Sequence, residues 1–183
     1  SSDLVFDCMP TEIKAIPTNG GRQRLAVHFG DKTKNVRVRY GISYIGVEQA
    51  QRNLEKEIKD FRTKPLIERA RQAWNQALGK IQIKGGTEDE KVVFYTALYR
   101  SHERMINISE DGKYYRGFDG EIHADEGVPF WTEDWIWDNY LALHPLQILL
   151  NPKAESEKLA SYLRMYEHSG WIPTFPCVFG DAH

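Results

Sequence analysis

The chain has 183 residues, enough for one ordinary domain and its core. Its 24 basic and 26 acidic residues leave a formal charge of −2 and are interspersed, so nothing points to nucleic acid or an anionic membrane as a partner. No apolar run approaches the roughly 18 residues of a membrane span, the first residues lack a signal-peptide pattern, and Cys8 and Cys177 fit no zinc or redox spacing and read as buried free thiols.

Residues 24–30 (RLAVHFG) and 35–46 (NVRVRYGISYIG) are β-branched and aromatic runs separated by a polar turn, and they predict a hairpin. Val36, Val38, Tyr40, Ile42 and Tyr44 share one face of the second strand, opposite Arg37, Arg39, Gly41 and Ser43; the apolar face is the expected buried side. A two-stranded ribbon is not stable alone, which points to a larger sheet. Residues 47–61 carry a narrow stripe of Ala50, Leu54, Ile58 and Phe61 on a polar background, the pattern of a solvated linker helix.

Pro65 opens a second helix with Ile67, Ala70, Trp74, Ala77, Leu78 and Ile81 at helical spacing and Gly79 as its stop. Thr87 and Glu90 form a capping box before a third. Residues 106–130 make a long connection with Asp-Gly turns at 111 and 119. Residues 132–150 are apolar around most of a helical circumference and predict a helix packed on all sides, kinked at His144–Pro145. Asn151 and Pro152 start a further helix with a stripe of Leu159, Tyr162, Leu163 and Tyr166, ended by Gly170; its other side should face water. Alternating enclosed and half-exposed helices suit an α/α toroid, but there are only about four of them, and the expectation is therefore a fragment.

Residues 131–145 (WTEDWIWDNYLALHP) hold three tryptophans, a tyrosine and three acids. Flat apolar rings suit the C–H face of a pyranose and carboxylates suit its hydroxyls, so the stretch predicts a carbohydrate site. Asp138, beside Trp137, is the principal candidate; Glu133 and Asp134 either complement the helix dipole or line the mouth of the pocket. Trp131 and Trp135 read as packing. On one helix Glu133 and Asp138 would point about 140° apart and could not flank one bond. Asp134 and Asp138 would share a face, yet two carboxylates do not satisfy calcium, which takes six to eight oxygens. Asp181, in the GDAH ending, is a candidate second-subsite contact, whereas His102 and His123 read as ordinary histidines.

The blocks FYTALYRS (94–101), YYRGFDGEIH (114–123), WDNYLALHPL (137–146) and LRMYEHSGWIP (163–173) together resemble glycoside hydrolase family 92, the calcium-dependent, inverting exo-α-mannosidases. The resemblance implies an α+β fragment: the end of an N-terminal β-sandwich over residues 1–46, including the hairpin, a helical linker over 47–64, and the first helices of an (α/α)6 barrel over 65–183. It implies an α-mannosidase acting on mannose-terminated glycans, with α-1,2 preference and extracytoplasmic placement. In this reading Trp137 and Asp138 match the family's WD pair, with Asp138 holding hydroxyls of the terminal mannose. The catalytic acid, the base and the calcium ligands are expected beyond His183, leaving this chain with substrate-binding residues Trp137, Asp138, Asp181, Glu133 and Asp134. The TEDWI segment (132–136) departs from the small, hydroxyl-rich run many members carry there. The alternatives are another toroid glycosidase, trehalase-like or debranching-type, and a non-catalytic carbohydrate-binding fragment.

Overall fold

The computed structural model describes residues 1–17 and 24–181, which divide into two units, Ser1–Thr63 and Lys64–His183. In the first unit β1 (Ser2–Phe6), β2 (Glu12–Ile16), β3 (Arg24–His28) and β4 (Val38–Ile42) form two antiparallel ribbons. β1 pairs with β4, Leu4 opposite Tyr40, and β2 pairs with β3, Lys14 opposite Ala26. The expected hairpin of residues 24–30 with 35–46 is therefore not the pairing found. Each strand instead takes a partner upstream, and Asp7 anchors the entry to β4 by accepting from the Arg37 amide (2.9 Å) and its guanidinium (2.6 Å).

The period-2 alternation of β4 holds, but its sides are reversed. Tyr40 and Ile42 are 62% and 59% exposed, whereas Gly41 and Ser43 are buried beneath α1 (Val47–Glu57). Gly41 explains the close approach, since a Cβ there would lie 2.3 Å from the Ala50 carbonyl oxygen and 2.9 Å from Leu54 Cβ. Arg39 donates to the Ile58 carbonyl oxygen and lies over the Phe61 ring. The stripe that suggested a solvated linker thus buries Ala50 and Leu54 against strands.

In the second unit α2 (Thr63–Leu78) begins near Pro65 and stops at Gly79, as expected. Its stripe is poorly covered among the described residues; Ile67 is exposed, and Trp74 rests on Tyr99 at 4.4 Å. α3 (Glu88–Arg100) has the predicted capping box of Thr87 and Glu90. Four short strands follow: β5 (Ile106–Asn107), β6 (Lys113–Arg116), β7 (Glu121–Ala124) and β8 (Trp131–Thr132). β6 and β7 pair antiparallel, as do β5 and β8, and both Asp-Gly pairs sit in turns. Gly117, after β6, touches backbone directly: a Cβ would lie 2.2 Å from the Phe179 carbonyl carbon. The core is Met105, Ile108, Tyr114, Phe130, Tyr162, Met165 and Val178, each fully buried side chain worth roughly 1.5–3 kcal/mol.

The single helix expected over 132–150 is broken. After β8, Glu133 has φ 65°, a left-handed conformation that ends the strand, and only α4 (Ile136–Asn139) and α5 (Leu143–Leu150) are helical. Pro145 falls in the first turn of α5, where its missing N–H would be unpaired anyway, so it kinks nothing. Nor are these helices enclosed on all sides: Trp137 of α4 is 78% and Leu149 of α5 81% exposed.

α6 (Pro152–Ser169) has Pro152 at its first position and Gly170 at φ 84° closing it. Asn151 does not cap it with its side chain, which donates to Gln147 instead. The inward face of α6 is Glu155, Lys158, Ser161, Tyr162 and Met165, whereas Leu159, Leu163 and Tyr166 of the expected stripe point out. Strands β9 (Pro176–Cys177) and β10 (Gly180–Asp181) pair in a final tight turn; Ala182 and His183 lie outside the described residues. Cys8 and Cys177 are free thiols, half-buried rather than buried. No helix among the described residues is long and apolar enough to cross a membrane.

Candidate functional site

The aromatic and acidic run folds as a turn followed by a one-turn helix, and its base is held from below. Asp134 is fully buried. Its amide donates to the Pro176 carbonyl oxygen (3.1 Å), joining the turn to β9. One carboxylate oxygen accepts from the Trp135 amide (2.8 Å) and from the Asn139 side chain. The other accepts from His144 Nε2 (2.8 Å) and the Tyr162 hydroxyl (2.6 Å). His144 Nδ1 faces Glu155 Oε2 at 2.9 Å, and Lys158 Nζ pairs with Glu155 Oε1 at 2.6 Å. Burial pushes Asp134 upward, but hydrogen bonds from His144, Tyr162 and Asn139 outweigh it and leave the pKa at about 2. The bonds to Asp134 and Glu155 raise His144 to about 9, against the penalty of burial. Burial raises Glu155 as well, and hydrogen bonds from His144 and Lys158 carry it below its ordinary value. Burial and the bond to Asp134 push the Tyr162 hydroxyl far up.

Glu133 holds the same turn from another side. It accepts from the Val178 amide (2.8 Å) and lies 3.7 Å from Arg104, whose guanidinium covers the Trp135 ring at 4.2 Å. Phe175 also stacks on the Trp135 ring, at 5.4 Å. Asp181 accepts from the Phe175 amide (3.2 Å) and pairs opposite Pro176 in the β9–β10 turn. Glu133, Asp134 and Asp181 therefore converge on one junction of turns. Trp131 packs inward, its amide on Ser161 and its indole N–H on Glu157.

Trp137 and Asp138 are displayed outward from α4. Trp137 is 78% exposed and Asp138 is exposed beside it, so the expectation that Asp138 lies in a largely buried helix is corrected. The pair Asp134 and Asp138, expected to share a helical face, is split: one is enclosed beneath the turn and the other projects from it. What results is an open indole and carboxylate on a hydrogen-bonded base, able to meet the apolar face and hydroxyl rim of a sugar. The network beneath is not arranged for proton transfer. Asp134 is ionised with its oxygens occupied, and both nitrogens of His144 are engaged.

Calcium does not fit these side chains. Among the described residues no group of three or more His, Cys, Asp or Glu is placed to hold a metal ion, and Asp134 has given its oxygens to protein donors. A groove of about 500 Å3 lies between β7 and α6, with His123, Glu126, Arg164 and His168 among its walls. None of the five predicted binding residues lines it, and its one aromatic, Tyr114, is buried. His123, read from sequence as ordinary, bonds Asp119 at 2.8 Å there.

His144, Glu155, Lys158 and Tyr162 were not singled out as site residues by the sequence. The available signal was their spacing, 155, 158 and 162 on one helical face, with a histidine in a segment otherwise apolar.

Comparison of the sequence with curated proteins gave no match. Among solved structures, an inverting mannosidase of family 92 from Bacteroides thetaiotaomicron VPI-5482 superposes with a TM-score of 0.82 at 25% identity, over 97% of this chain and 26% of its own. A family 92 α-mannosidase from Bacteroides thetaiotaomicron, solved in complex with mannoimidazole, gives a TM-score of 0.83 at 23% identity, over 98% of this chain and 26% of its own. The chain thus spans about a quarter of the length of these relatives. A model of the glycosyl hydrolase family 92 catalytic domain matches residues 49–183, and on that match this chain belongs to glycosyl hydrolase family 92.

Proposed function

We propose that the chain supplies one wall of a terminal-mannose pocket in an inverting, exo-acting α-mannosidase that prefers α-1,2 linkages on mannose-terminated glycans. The observation that carries this reading is the outward display of Trp137 and Asp138 on α4, above a turn held by hydrogen bonds to the buried Asp134 carboxylate. The family match and a similar enzyme's complex with mannoimidazole support mannose as the sugar. Trp137 takes the apolar face, Asp138 takes hydroxyls, and Glu133, Asp134 and Asp181 shape the surround. Inversion needs a protonated carboxyl on the leaving oxygen and a carboxylate on the attacking water, about 6.5 to 9.5 Å apart. In this proposal those two groups and the calcium ligands lie outside the described residues, and the enzyme works outside the cytoplasm.

The test is hydrolysis of an aryl α-mannoside and of α-1,2-mannobiose by the complete protein, with and without EDTA. Activity should depend on calcium, and Asp138→Ala should lower kcat/KM by the equivalent of about 2 to 4 kcal/mol of transition-state binding. An unchanged kcat/KM would reduce Asp138 to a bystander, and indifference to EDTA would count against calcium.

A further inference from the structure

Trp137 and Asp138 project from α4, and the groups that hold this helix lie one layer down. The Asp134 carboxylate grips the Trp135 amide and the Asn139 side chain, the residues that bracket the pair. The Trp135 carbonyl oxygen in turn accepts from the amides of Asp138 and Asn139, both at 3.0 Å. On its far side Asp134 is held by His144, and His144 by Glu155 of α6. Both ring nitrogens face carboxylate oxygens, at 2.8 and 2.9 Å. A neutral imidazole donates from one nitrogen only, so with both carboxylates ionised this geometry is satisfied only by the cation.

We infer that His144 is a positioning residue for sugar recognition: its bridge between Asp134 and Glu155 sets the turn that aims Trp137 and Asp138, and loss of its proton releases that aim. The inference rests on the mannose-wall reading above and adds pH control to it. Asp134, from the turn before α4, and Glu155, from α6, face the ring directly; Lys158 and Tyr162, also of α6, stand behind them. When the ring becomes neutral, one carboxylate meets a lone pair. Glu155 keeps Lys158, and Asp134 keeps Tyr162, Trp135 and Asn139, so the turn loosens and need not unfold.

The direction with pH follows from the two titrations. His144 is raised from 6.5 to about 9, so its contribution is full below about 6.5 and is lost as pH rises through about 9. Asp134 is lowered from 3.8 to about 2, so its contribution is full above about 3.8 and is lost as pH falls through about 2. Glu155 is lowered from 4.5, so its contribution is full above about 4.5, and the clamp is complete between about 4.5 and about 6.5.

Mannoimidazole binding to the complete protein, measured calorimetrically from pH 7 to pH 10 alongside near-ultraviolet circular dichroism, tests this. The native protein should lose about tenfold in affinity with a midpoint near pH 9 while its dichroism holds. His144→Gln should bind about tenfold more weakly at pH 7 and show no alkaline decline. A variant that binds like the native protein and keeps the decline overturns the inference. Where the variant does not fold, a native affinity flat through pH 9.5 overturns it equally, and the predicted fall supports it. Absence of binding at every pH would defeat the mannose-wall reading and this inference with it; binding without pH dependence defeats only the inference.

Discussion

β4 and α6, in different units of the chain, both turn their more polar side inward, but the material packed against them differs in kind. Beneath β4 the space beside Gly41 is filled by Ala50 and Leu54, with Arg39 reaching a carbonyl oxygen and a ring at the margin. Against α6 the fill is ionic: Glu155, Lys158 and Tyr162 meet His144 and Asp134. Apolar contact is non-directional and scales with area, so the first arrangement stabilises without fixing an angle. Hydrogen-bonded charges carry direction and titrate, so the second fixes α4 in one orientation and makes that orientation depend on pH. The molecule places the directional material under Trp137 and Asp138, the pair proposed to face the sugar.

Three substitutions test that contrast. Asp134→Ala removes the centre of the ionic fill, leaves the Tyr162 hydroxyl and one His144 nitrogen without partners, and should destabilise the second unit by about 3–5 kcal/mol in chemical denaturation. A loss below about 1 kcal/mol would show that the network carries little. Gly41→Val tests the apolar side. Its side chain would collide with the Ala50 carbonyl and Leu54, displacing α1 at about 1–3 kcal/mol, read as faster hydrogen exchange across α1. That effect should be the same at pH 7 and pH 10, and an alkaline dependence would blur the distinction drawn here. The smallest change should come from Thr87→Ala, which touches neither region and removes only the cap of α3, at about 1 kcal/mol in thermal unfolding. An effect as large as that of Asp134→Ala would mean that local capping matters as much as the network.

What the sequence discloses is periodicity and punctuation. The capping box at Thr87, the proline and glycine that bound α6, the Asp-Gly turns and the alternation of β4 all follow from local chemistry and all stand. Which side of an alternating element faces inward depends on a partner distant in sequence, and there the hydrophobic pattern misleads for β4 and α6 alike. The helix break at Glu133 was hidden for a related reason: an apolar circumference argues for helix, while a buried aspartate taking its neighbour's amide argues for a turn, and only the burial decides. Trp137 and Asp138 were legible as a pair because their composition is unusual. The support beneath them is not, since the sequence marks His144 chiefly through the kink expected at the proline after it, and it puts Glu155 and Lys158 on a face expected to be wet.

Gly117 has a mechanical consequence. Because the backbone after β6 lies directly on the backbone of Phe179 and Gly180, with no side chain between them to change rotamer and absorb strain, the two turns must travel together. The turn that carries Asp181 also receives the Asp134 amide through Pro176. A displacement starting at the β6–β7 hairpin would therefore be transmitted, undamped by side-chain adjustment at that contact, to the platform on which Trp137 stands.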